Sequence, residues 1–84
     1  MNPKPFIVIG PGHILQRNLE ALNWTNRDLA GILGMSEKSI NLLLNNKQSV
    51  TVQTARFLAD AFKTSPEFWL NLEQNYRVRV EAGG

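Results

Sequence analysis

A chain of 84 residues is enough for one domain and no more, and a domain of this size buries only about 60% of the surface its unfolded chain exposes. It has no cysteine, which excludes disulfides and thiolate metal sites and leaves a packed helical core or oligomerisation as the source of stability. Nine Lys and Arg stand against seven Asp and Glu, and the excess lies in residues 1–48, where Lys4, Arg17, Arg27, Lys38 and Lys47 face Glu20, Asp28 and Glu37.

No apolar run reaches the roughly 18 residues of a membrane helix. The apolar run Phe6-Ile7-Val8-Ile9 is too short for a secretory signal. The lack of cysteine fits a reducing cytosol, so a cytoplasmic protein with no membrane contact is expected.

Residues 1–12 read as an extended arm. Pro3, Pro5 and Pro11 break helices, and Gly10-Pro11-Gly12 is a turn cluster. Between them, Phe6 to Ile9 has strand propensity. An isolated strand is unstable, so this run must pair or pack. It is read first as a strap on the bundle, with an inter-subunit strand or a docking edge for a partner as alternatives.

From His13 the period turns helical, with Ile14, Leu15, Leu19 and Leu22 on one face and Gln16, Arg17, Asn18 and Glu20 on the other. That helix should end near Asn23-Trp24, with Trp24 packed under the turn that follows. Thr25 is an N-cap with Asp28 in the capping-box position. A second helix, about 26–33, should bury Leu29, Ile32 and Leu33, and Gly34 supplies the positive φ that ends it. Ser36 caps a third helix, about 37–45, with Ile40, Leu43 and Leu44 inward and Asn45-Asn46 as its stop. Thr51 caps a fourth, about 52–62, with the stripe Val52, Ala55, Leu58, Ala59 and Phe62. Ser65 caps a fifth, with Pro66 at its first position and Phe68, Trp69, Leu72 and Tyr76 at helical spacing. The alternating Val78-Arg79-Val80 reads as a short strand or frayed tail. The expected fold is an all-α five-helix bundle. It comprises a domain at 13–78 and a C-terminal tail at 79–84.

Two short helices joined by Gly34-Met35-Ser36 have the connection length of a helix-turn-helix, placed at about 25–47. So short a turn makes the helices cross widely, and the third then projects a polar face that fits a major groove. Lys38 and Asn41 can read base edges, Leu42 can touch a thymine methyl, and Glu37 shares the face. Ser36, Ser39 and the amides of the first turn can hold phosphates. Thr25, Asn26 and Arg27 should lie over one strand's backbone, with Asn45 and Lys47 forming a second phosphate clamp. Double-stranded DNA is the expected partner. The alternative is a protein-interaction module with weak DNA binding, a reading that Glu37 favours.

From Pro11 to Tyr76 the sequence resembles the HigA/VapI-type antitoxins, a branch of the Xre-type, phage-repressor-like helix-turn-helix proteins, which implies a five-helix bundle of the phage-repressor-like type. The matching pieces are Pro11-Gly12-x-Ile14-Leu15, Thr25-x-x-x-Leu29-Ala30-x-x-Leu33-Gly34, Ser36-x-x-Ser39-Ile40, Leu44-Asn45-x-Lys47 and Ser65-Pro66-Glu67-Phe68-Trp69-Leu70-Asn71-Leu72. The last block is the most specific. The resemblance implies a homodimer that represses its own operon from a palindromic operator and neutralises a small ribonuclease toxin. A stand-alone phage- or plasmid-type repressor is the other member of that class. Four positions depart from the family pattern: Asn26 for Gln, Glu37 for Arg, Asn46 for Gly and His13 for Glu.

Catalytic and metal chemistry find no foothold. His13 is the sole histidine, with no cluster of carboxylates around it in sequence, and reads as a surface or cap residue. No nucleophile triad or glycine-rich phosphate loop is present, so no enzyme activity and no cofactor are expected. The aromatic stripe of the fifth helix is core first. Because adjacent residues point about 100° apart, one of Phe68 and Trp69 can face a partner subunit. The expected dimer contact is Trp69, Leu72 and Tyr76.

Overall fold

The computed structural model describes residues 9–83, which form five helices: α1 (Pro11–Leu22), α2 (Asn26–Leu33), α3 (Glu37–Leu44), α4 (Val52–Phe62) and α5 (Pro66–Gly83). The run Phe6 to Val8, the larger part of the predicted strap, lies outside the described residues. Each of α2 to α5 starts where a hydroxyl caps it. Thr25, Ser36, Thr51 and Ser65 accept the backbone N–H of Asp28, Ser39, Thr54 and Phe68 at 3.1, 3.1, 3.2 and 3.2 Å. At Thr25 the box closes, because Asp28 Oδ2 accepts the Thr25 N–H at 2.8 Å.

The first helix begins two residues earlier than the periodicity predicts. Pro11 occupies the first helical position, where its missing N–H costs nothing, and Gly10 is the N-cap. Gly10 has no side chain to cap with, and His13 reaches back so that its Nδ1 accepts the Gly10 N–H at 3.2 Å. The lone histidine is therefore a capping residue. Left-handed residues end three helices: Asn23, Gly34 and Lys63. Lys63 holds φ 59° without a glycine's freedom.

One apolar core joins all five helices. Leu15, Leu19, Leu29, Ile40, Leu58 and Trp69 are its largest fully buried side chains, each contributing about 1.5–3 kcal/mol relative to exposure. Trp69 is the hub of an aromatic row. Phe62 lies 5.9 Å from it and 5.5 Å from Trp24, centroid to centroid. The Trp69 Nε1–H donates to Thr64 Oγ1 at 2.7 Å, so its polar atom is satisfied.

Several expectations change. Ile32 is 50% exposed and Ala30 takes its inward place in α2. Leu22 and Val52, at the end of α1 and the start of α4, face outward as well. Terminal turns have fewer neighbours to pack on than central ones. Val78-Arg79-Val80 is neither strand nor frayed tail. No helix breaker precedes Gly83, and α5 runs on through the segment. Trp69 is fully buried in its own chain and offers nothing to a partner subunit, while Phe68 beside it is exposed. The two rings meet edge-on at 5.2 Å.

Candidate nucleic-acid interface

The turn between α2 and α3 is built from local chemistry. Gly34 at φ 68° reverses the chain. The Met35 N–H returns to Ala30 O at 2.9 Å, Met35 packs on the core, and Ser36 opens α3. Ile40 and Leu43 are buried and α3 packs on α1 and α2. That burial decides the free face. At 100° per residue, Lys38, Asn41 and Asn45 fall within an arc of about 60°, opposite the buried side, and all three are exposed. Leu42 and Ser39 are half-buried at its border.

Side chains from the first turn of α2 reach across to this face. The Asn26 Nδ2–H donates to Asn41 Oδ1 at 2.7 Å. The Arg27 Nε–H donates to Glu37 Oε2 at 3.2 Å in an exposed ion pair. The hydroxyls of Thr25 and Ser36 are engaged as caps, and the Asn45 Nδ2–H donates to Asn41 O at 2.8 Å. Lys38 and Lys47 are exposed and make no ion pair among the described residues. The structure thus brings Asn26, Arg27, Ser36, Glu37, Lys38 and Asn41 together, with Lys47 on the adjoining loop.

That loop begins at the Asn45-Asn46 stop of α3, as the sequence predicts, but it is held by contacts the sequence did not reveal. After α3, the Lys47 N–H bonds Leu42 O at 2.8 Å and Asn46 takes φ 56°. Asn46 Oδ1 accepts the Gly12 N–H at 2.9 Å. On the other side, Glu73 of α5 accepts the Val50 N–H at 3.0 Å and pairs with Arg77, whose Nη2 reaches Asn46 O at 3.5 Å. These partners are 23 to 34 positions apart, so no spacing rule reports them. Among the described residues no group of three or more His, Cys, Asp or Glu could hold a metal ion.

A short turn, a recognition-sized second helix with a polar outer face, and cations on its flanks define a helix-turn-helix protein. Its family follows from comparison. The model of the helix-turn-helix family matches residues 15–69, and the chain belongs to that family, in its Xre-type branch. An uncharacterized helix-turn-helix transcriptional regulator of Haemophilus influenzae is 42% identical over 74 residues, spanning 87% of this chain and 66% of its own. The solved structure of a HigA-family addiction-module antidote protein from Coxiella burnetii superposes with a TM-score of 0.84 at 37% identity, over 89% of this chain and 83% of that one. The Pseudomonas aeruginosa antitoxin HigA, solved with the higBA promoter, gives a TM-score of 0.86 at 27% identity over 92% and 85%. The fold is that of the HigA antitoxins. No helix among the described residues is long and apolar enough to cross a membrane.

Proposed function

We propose that the protein is the DNA-binding antitoxin of a toxin–antitoxin pair, a cytoplasmic homodimer that represses its own operon and neutralises a ribonuclease toxin. It has no catalytic role. The observation that carries this reading is the exposed polar face of α3, which includes Lys38 and adjoins Lys47 on the next loop, both without ion-pair partners among the described residues. Support comes from the HigA antitoxin whose fold matches over nearly the whole chain and which was solved with promoter DNA. Lys38, Asn41 and Leu42 read bases. Thr25, Asn26, Arg27, Ser36, Ser39, Asn45 and Lys47 hold the backbone on either side. A dimer through α5, with Leu72 and Tyr76 in the contact, places two recognition helices about one DNA turn apart on a palindromic operator.

The test is a gel shift on the DNA directly upstream of the gene. Binding at submicromolar protein that falls steeply with salt is the expected result. No shift at low salt with micromolar protein would refute it. Co-purification with the product of the adjacent reading frame tests the toxin partner.

A further inference from the structure

Glu37 is the first residue of α3 and Asn41 lies one turn on. Four helical residues rise about 6 Å, close to the reach of two stacked base pairs at about 3.4 Å each. Both side chains are held from α2, Asn41 by Asn26 and Glu37 by Arg27. Taken alone, a carboxylate at the start of the recognition helix opposes DNA, because it meets phosphates of its own sign. The Arg27 pairing changes that. The guanidinium engages Oε2 only, and Oε1 of Glu37 accepts no hydrogen bond among the described residues. The pair is neutral as a unit, with one acceptor oxygen left over. In water so exposed a contact is weak, but it strengthens where a DNA groove displaces the solvent.

A free carboxylate oxygen can only accept. The major groove offers two amino donors, cytosine N4 and adenine N6. Adenine sets its N7 lone pair beside the amino group, where it would face the carboxylate, and cytosine does not. We propose that Glu37 reads a cytosine amino group and that Arg27 is its positioning residue, fixing the carboxylate and cancelling its charge beside the phosphates. This rests on the DNA-binding reading above and adds a base identity to it.

Selection of bound sites from randomised duplexes, run on the full chain and its variants, tests this. The unaltered protein should enrich a C·G pair at one position in each half-site. Glu37→Gln should move that position to A·T, since an amide pairs with adenine N6 and N7, and leave the others as they were. Arg27→Ala should lower discrimination there by tenfold or more. Arg27→Lys should restore overall affinity without the cytosine preference, because an ammonium keeps the charge but not the planar fork. Circular-dichroism melts of all three should match the parent, since both side chains are exposed. If Glu37→Ala tightens binding equally on all sequences, or leaves every base preference unchanged, Glu37 is no reader and the proposal falls. If the unaltered protein enriches no sequence at all, the DNA-reading role falls first, and this proposal with it.

Discussion

The Gly12 N–H and the Asn46 side-chain oxygen are 2.9 Å apart, across 34 positions of sequence. The bond seats the first turn of α1 on the end of α3, and only a glycine permits the approach. A Cβ at residue 12 would lie 2.3 Å from Leu44 O and 2.8 Å from Leu43 O, both backbone atoms that cannot swing away. Gly12→Ala should therefore destabilise the domain by about 1–3 kcal/mol. That corresponds to a fall in midpoint of roughly 4–8 °C per kcal/mol at this size. A thermal melt followed by circular dichroism reads it, and an unchanged midpoint would show that α1 does not sit as described.

Glu73 should matter for folding rather than for DNA contact. Its carboxylate satisfies the N–H of Val50, a buried residue. Glu73→Ala strands that donor and releases Arg77 from its partner, at a cost of about 1–3 kcal/mol. The loop carrying Lys47 loses its anchor on α5 at the same time. Urea unfolding should show a lower midpoint, and DNA affinity should drop on all sequences alike.

The lysines divide by role. Lys47→Ala should weaken binding to every duplex by a similar factor and reduce the slope of log affinity against log salt by about one. Lys38→Ala and Asn41→Ala should each alter sequence preference. Equal losses on every sequence for all three variants would contradict this division of roles.

On α5, Trp69 is fully buried and Val80 is exposed, so substitutions there test the core and the proposed dimer contact separately. Trp69→Ala should cost about 3–5 kcal/mol, most of what a domain this small has to lose. Val80 lies one turn beyond Tyr76, so Val80→Asp should leave the melt of the monomer near the parent value and shift sedimentation from dimer toward monomer. A dimer unaffected by that change would place the contact elsewhere.

The sequence by itself determined the five helices and the helix-turn-helix. The reason is range: a hydroxyl cap acts on an amide three residues away, a glycine turns its own backbone, and helical period repeats within two turns. Thr25, Gly34, Ser36, Thr51 and Ser65 could therefore be read without any partner. Only the tertiary structure decided what depends on how the helices meet. It sent Trp69 inward and Phe68 outward, left Ile32 and Val52 in solvent, and carried α5 past residue 78. It also paired Asn26 with Asn41, Arg27 with Glu37, and Asn46 with Gly12. Those contacts join residues 10 to 34 positions apart. No local preference encodes them, because each exists only once the buried faces have set the distance between helices.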